Sequence, residues 1–213
     1  MFCSPAKRFI CRKDREISGD IWKKLYLCFP LLYTKILIMK FGTLSLAFLL
    51  IGLTAFSQTK GDRGYHVKVG DKVPDITLHF VDGTTASLQQ LYRKKVVVLQ
   101  FTASWCSVCR KEMPHLEREI WQPFKNKNFV LIGVDYDEPL KKVQQFRKDM
   151  KVTYPFALDP DAKIFQHFAY KGAGVTRNVV IDTTGTIVFL TRLYNVEEFN
   201  AMKAKIDALL HGE

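Results

Sequence analysis

The chain is predicted to form an α/β domain: a central mixed β-sheet with helices on both faces, an N-terminal β-hairpin and a βα insertion. Three observations support this. The run Val96–Thr102 reads Val-Val-Val-Leu-Gln-Phe-Thr, unbroken and β-prone, as expected for a strand buried on both faces. Strand-like and helix-like stretches alternate after it, the pattern of strands joined by helical crossovers. Hairpin-like pairs stand at either end, so the order reads ββ, βαβα, ββα and the sheet must contain antiparallel neighbours. Nothing repeats at a fixed period, and no tract is of low complexity.

The first pair, 74–80 and 84–88, flanks Asp82-Gly83, a two-residue turn signal for an edge hairpin. After the central strand, Met113, Leu116, Ile120 and Phe124 recur at three- and four-residue spacing, which predicts a helix over 107–124. A second buried strand follows at 129–135. Asp137-Glu138-Pro139 then suits a helix start, with Asp137 as cap and the proline in the first turn, the helix continuing to about residue 150. A short strand is expected at 156–158, and Asp159-Pro160 at the head of a short helix through Phe168. Beyond the glycine loop 171–174, strands at 175–182 and 186–193 turn at Thr183-Thr184-Gly185, and an amphipathic helix over 196–210 closes the domain.

Hydrophobic residues make up 47% and charged residues 25%, an ordinary globular composition. The net charge of +11 is unevenly spread: residues 1–57 hold nine Lys or Arg and three Asp or Glu. That segment reads as targeting. Met39-Lys40 precedes an apolar run, 41–56, and Ala55 and Ser57 stand at the −3 and −1 positions of a cut before Gln58, the parts of a secretory signal. The run is shorter than the roughly 20 residues a spanning helix needs. Four segments are therefore expected: a spurious extension at 1–38 with Met39 as the start, a signal peptide at 39–57, a flexible lead-in at 58–66, and one domain at 67–213. A competing reading joins the apolar stretch 25–39 to the run after it as an uncleaved membrane anchor, interrupted by Lys35 and Lys40. With export the protein is periplasmic or otherwise extracytoplasmic. The charge left on the domain is interspersed with acids and matches no nucleic-acid motif.

Of five cysteines, Cys3, Cys11 and Cys28 precede Met39, leaving Cys106 and Cys109. Two cysteines three apart are no disulfide framework, which closes long loops. A zinc half-site would need two more ligands, and the domain offers no second Cys or His pair at ligand spacing. A purely structural bridge over so short a loop would constrain the unfolded chain little. A redox pair has the most direct logic. Between a buried strand and the first turn of a helix, unpaired N–H groups and the helix dipole stabilise a thiolate on Cys106, the nucleophile. Cys109, one turn on and more buried, can attack a mixed disulfide and release the substrate. Arg110 and Lys111 add positive charge nearby, and no metal or other cofactor is called for.

Trp105-Cys106-Ser107-Val108-Cys109 after a hydrophobic strand, with Pro114 five residues beyond the second cysteine, resembles thioredoxin-fold proteins of the TlpA/ResA type, within the redoxin-like part of the thioredoxin superfamily. The resemblance spans roughly 67–210. It implies a thioredoxin fold and an extracytoplasmic thiol-disulfide oxidoreductase acting as a monomer on protein thiols or disulfides, as a reductant, with a membrane electron-donor protein as a further partner. It also implies that Glu112 accepts the proton of the buried thiol, against the plainer reading of a solvated helix carboxylate. Trp105 is expected to pack over the active-site turn. Gln100 stands where thioredoxin has a buried acid, so acid-base help must come from elsewhere. The family's cis-proline facing the cysteines falls on Thr176, with Arg177 next. A non-proline cis bond costs about 2.5–4 kcal/mol, so a trans loop is expected there. Trp105, Thr176 and Arg177 are the candidate substrate contacts, Arg177 either attracting acidic partners or lying close to the thiolate.

Two alternatives accompany this reading. A thiol peroxidase is suggested because the insertion and Thr176-Arg177 resemble peroxiredoxins, yet 99–106 lacks their Pro-x-x-x-Thr-x-x-Cys arrangement. A copper-binding metallochaperone would use the two soft thiolates without a facing proline, but no Met-rich or His-rich third ligand set accompanies them. Other features have bland readings. Asp135, Asp137 and Glu138 are explained by a strand end and a cap, Gly172-x-Gly174 precedes a strand and so lacks a phosphate-binding helix, and His115 and His167 serve surface or packing roles.

Overall fold

The computed structural model describes residues 63–211. The expected extension, signal peptide and membrane-anchor alternative lie outside the described residues, as do Cys3, Cys11 and Cys28.

A seven-stranded sheet runs in the order β2-β1-β5-β4-β3-β6-β7. The edge hairpin is β1 (Thr77–Phe80) with β2 (Thr85–Ser87). Its turn is closed by the Gly83 N–H on Phe80 O and by the Asp82 carboxylate, which accepts from Thr84 N and Oγ1. Gly83 takes φ +88°, which the absence of a Cβ makes inexpensive. The strand expected up to Leu88 ends one residue early, because Ser87 caps a short helix, α1 (Leu88–Tyr92), accepting from Gln90 N.

The centre is as the composition of Val96–Thr102 requires. All seven residues of β3 (Val96–Thr102) are buried. They pair in parallel with β4 (Phe129–Tyr136) and antiparallel with β6 (Arg177–Ile181). The short β5 (Phe156–Asp159) joins β4 in parallel and β1 in antiparallel register, and β7 (Ile187–Leu190) extends β6 to the second edge. Alternate strand residues feed two cores. Val98, Leu131, Phe156 and Val180 pack with the longer helices α2 (Ser107–His115), α3 (Leu140–Asp149) and α4 (Val196–His211). Leu99, Phe101, Ile132 and Val179 pack with Leu88 of α1, Tyr65, Phe165 and Phe168. Both faces are thus covered, one by the long helices and the other by α1, the N-terminal segment and two single 3₁₀ turns.

Four local expectations need correction. Residues 63–66, placed in the flexible lead-in, are bound to the domain. Tyr65 is buried with its hydroxyl donating to Thr191 O at 2.6 Å, His66 N–H donates to Phe168 O, and Arg63 forks onto the Glu198 carboxylate. The helix expected over 107–124 is not one α-helix. Pro114 interrupts α2, the stretch Leu116–Trp121 is π-helical, and a last α turn spans Gln122–Phe124. Proline has no N–H to return to Arg110 O, and the hydrogen-bonding pattern widens just after it. Asp137 does not cap α3. It sits at φ +53° with its carboxylate accepting from Asp161 N, and the extended Pro139 precedes the first helical residue. The helix expected over 160–168 is two 3₁₀ turns, Pro160–Ala162 and Phe165–His167, separated because Asp161 and Ala162 have positive φ. Asp159 caps the second turn, its oxygens accepting from Ile164 N and Phe165 N.

Candidate active site

Strand β3 ends at Thr102, and the turn 103–105 delivers Cys106 to the N-cap of α2, with its N–H donating to Ala103 O. Cys106 and Cys109 form a disulfide with S–S 2.22 Å and Cα–Cα 5.3 Å. The capping atom is the sulfur itself: Cys106 Sγ accepts from Cys109 N at 3.2 Å. A charge on Cys106 would therefore meet an N–H group at the positive end of the helix. Cys106 keeps 8% of its surface exposed and Cys109 none, an asymmetry that gives incoming substrates only the first sulfur.

Thr176 faces the pair. Its Oγ1 lies 3.1 Å from Cys106 Sγ and 3.3 Å from Cys109 Sγ, and since a disulfide sulfur has no proton, the hydroxyl is the donor. The described peptide bonds are all trans, those of the Thr176 loop included. Trp105 is 60% exposed beside the cysteines, touching Tyr136 edge-on at 6.4 Å between ring centroids. Arg110 is held by donating to Ser104 O at 2.9 Å, with its guanidinium over the Phe146 ring.

Arg177 is not beside the sulfurs, contrary to expectation. The next strand residue after Thr176 points to the opposite face. Its guanidinium is fully buried over the Tyr65 ring, donating to Gly174 O, Arg63 O and Ala173 O. It fastens the N-terminal segment and the glycine loop to the sheet. The Thr-Arg arrangement behind the peroxidase alternative is therefore not assembled at the thiols.

Glu112 lies one turn beyond Cys109 on α2 and is 1% exposed, so it is no solvated carboxylate. Burial pushes its carboxyl up to about 7, against the opposing pull of hydrogen bonds from Asn178 Nδ2 at 2.7 Å and Gln100 Nε2 at 3.4 Å. Gln100 in turn accepts from the buried Tyr154 hydroxyl, and Asn178 Nδ2 also donates to Thr191 Oγ1. Asn178 and Tyr154 were missed from the sequence. The strand period places Asn178 on the Thr176 side of β6, which would have been a usable signal.

A second acid, read from the sequence only as a strand end, has a stronger environment than that reading gave it. Asp135, at the end of β4, is fully buried, and neither carboxyl oxygen meets an N–H or hydroxyl donor. Burial, and then the negative Glu138, push it up to about 8. Glu138, whose own carboxyl is lowered by Lys142 and Ser104, is the negative neighbour. Glu138 accepts from Ser104 N at 2.6 Å and Ser104 Oγ at 2.7 Å and pairs with Lys142, clamping the turn before Cys106. Among the described residues, no three His, Cys, Asp or Glu side chains are grouped to hold a metal ion.

This fold and this pair define a class, the thioredoxin-fold proteins that work through a dithiol and its disulfide. The chain belongs to the redoxin family, whose model matches residues 68–210. It is 28% identical over 138 residues to the thiol-disulfide oxidoreductase ResA of Bacillus cereus, covering 65% of this chain and 77% of that protein. To ResA of Geobacillus kaustophilus it is 27% identical, over 71% and 84%. Among solved structures, a candidate protein disulfide isomerase from Bacteroides thetaiotaomicron is 53% identical with TM-score 0.67, covering 69% of this chain and 92% of that one. A structure named for the thiol:disulfide interchange protein DsbE from Chlorobium tepidum is 25% identical with TM-score 0.58, over 67% and 98%.

Proposed function

We propose that this protein is exported and reduces disulfides in other proteins outside the cytoplasm, with Cys106 attacking and Cys109 resolving. Thiol-disulfide oxidoreduction is the activity of the pair. The direction, the compartment and the residue roles are our reading. The observation that carries it is the asymmetric disulfide at the head of α2, with Cys106 partly open and capped by an N–H and Cys109 sealed.

In the reductive direction the Cys106 thiolate attacks a substrate disulfide, forming a mixed disulfide and expelling one substrate thiolate. Cys109 then loses its proton and attacks Cys106 Sγ, breaking the mixed disulfide and releasing the second substrate thiolate. Two enzyme sulfurs are oxidised, two substrate sulfurs are reduced, and the departing thiolates take up protons. Glu112 is suited to accept the Cys109 proton, being buried one turn away with a carboxyl raised to about 7. Trp105 offers an exposed aromatic face to the incoming chain, and Thr176 lies against the sulfurs that the chain meets. A membrane donor protein would return the pair to the dithiol.

Insulin reduction tests the core of this reading. Cys106→Ala is expected to abolish turnover, and Cys109→Ala to trap a mixed disulfide. Turnover surviving both substitutions would remove the proposal. Equilibration with glutathione tests direction: a potential towards the reducing end of the family range, about −270 mV, supports a reductant, and one near −120 mV an oxidant. Export is tested by sequencing the N-terminus of protein recovered from outside the cytoplasm, with Gln58 expected first.

A further inference from the structure

We propose that Thr176 is a catalytic residue whose hydroxyl bridges the two sulfurs of the reduced enzyme, donating its O–H to the Cys106 thiolate while accepting the S–H of Cys109. The inference rests on Cys106 being the attacking sulfur. Its geometric basis is that Oγ1 lies within hydrogen-bond reach of both sulfurs, 3.1 and 3.3 Å, with Thr176 itself 3% exposed. In the disulfide the hydroxyl can only donate. Reduction adds two electrons and leaves a thiolate on Cys106 and a thiol on Cys109. One hydroxyl then has a use for both its proton and its lone pair. The Cys109 N–H already on Cys106 Sγ is the second donor to the same atom.

Among the described residues, no charged side chain is hydrogen-bonded to either sulfur in its place. Arg110 is turned to Ser104 O, Arg177 is buried with three carbonyls on the other face, and Glu138 is held by Ser104 and Lys142. Glu112, the buried acid on α2, is bound by Asn178 and Gln100. Like Glu138, it would disfavour a neighbouring thiolate. Stabilisation of Cys106 thus falls to neutral donors in a desolvated site, where a hydrogen bond to a charged acceptor is worth most.

Whatever stabilises the Cys106 thiolate stabilises the reduced pair over the disulfide, so Thr176 makes the pair easier to reduce and a better leaving sulfur in the mixed disulfide. Val is nearly isosteric with Thr but has no hydroxyl, and Ser keeps the hydroxyl without the methyl.

The test is the pH dependence of iodoacetamide modification of the reduced full-length protein, followed at Cys106 by site-resolved mass spectrometry. Thr176→Val is expected to lower the Cys106 ionisation constant about tenfold, moving the midpoint up by about one pH unit. Its dithiol-disulfide equilibrium against glutathione should move in the same sense, about tenfold towards disulfide. Thr176→Ser is expected to restore both values to near wild type. A Val profile superimposable on wild type overturns the proposal, and so does a Ser profile as shifted as that of Val, which would assign the effect to packing. If wild-type Cys106 reacts no faster than a free thiol below pH 8, the nucleophile reading itself fails, a result distinct from either.

Discussion

Glu112 holds a carboxyl where water does not reach, and the same burial that suits it to accept a proton makes it a liability to the fold. Its folded value of about 7 stands above the ordinary 4.5, so between those limits the folded state keeps a proton that the unfolded state releases. Stability is therefore unaffected below pH 4.5, falls as pH rises, and has lost its full share above pH 7. That share is about 3 kcal/mol. Glu112→Gln removes the titration and keeps an acceptor for Asn178. The variant is expected to be more stable than wild type at pH 8 by up to about 3 kcal/mol, and equal to it near pH 4.5, in urea titrations. Its resolution of a mixed disulfide should slow roughly 100-fold and lose the inflection near pH 7. A variant less stable at pH 8, or as fast as wild type, would show that Glu112 has neither role. The closeness of Cys106 and Cys109 was legible because a spacing of three residues is about one helical turn, whereas Glu112 entered only through the family resemblance. Arg177 was misplaced because only the strand's alternation separates it from Thr176, and Asn178 went unread although the same alternation brings it back to the Glu112 side.

At the scale of elements, legibility followed hydrophobic continuity. Strand β3 coincides with its expected limits because all seven residues are buried, and the edge hairpin was readable from Asp82-Gly83. What the sequence hid was decided by partners far along the chain. Residues 63–66 look polar and loose, yet Tyr65 bridges to Thr191, Arg63 to Glu198, and Arg177 stacks beneath the Tyr65 ring. Tyr65→Ala is expected to lose about 3–5 kcal/mol by analogy with other buried aromatics, and Tyr65→Phe about 1 kcal/mol for the hydroxyl on Thr191 O. Urea unfolding checks both. If Tyr65→Ala costs under 1 kcal/mol, the segment is not part of the core. A second element-scale case is β4, where a Cβ on Gly133 would come within 2.7 Å of the Phe156 ring. Gly133→Ala should cost about 1–3 kcal/mol by overpacking, and a neutral result would mean that Phe156 can move aside.

At the scale of the molecule, the acids shifted from their ordinary values among the described residues fall into two groups that pull stability in opposite directions with pH, Asp159 being raised along with Glu112 and Asp135. Glu119 is held down at about 2 by His115 first, then Arg118 and Lys203, and Asp75, Asp82 and Asp182 are also lowered, by hydrogen bonds to nearby hydroxyls and N–H groups. Their stabilisation is present above the ordinary carboxylate range and is lost as pH falls through their folded values. Solvent and salt screen the exposed members, so this limb should be shallow. Glu112 and Asp135 act the other way. Asp135 is raised to about 8 by burial and by Glu138, so the folded state retains its proton long after the unfolded chain has lost it. Stability declines from about pH 4 to about pH 8 as this difference accumulates. The urea midpoint should accordingly peak at about pH 4, fall gently towards pH 2 and fall more steeply towards pH 8. Asp135→Asn removes the titrating group, so with Glu112→Gln it should shrink the alkaline limb while leaving the acid limb as it was. A wild-type midpoint that stays level or climbs between pH 5 and pH 8 would mean that these acids ionise freely in the folded protein. Glu112 would then lack the raised carboxyl, near 7, that suits it to accept the Cys109 proton.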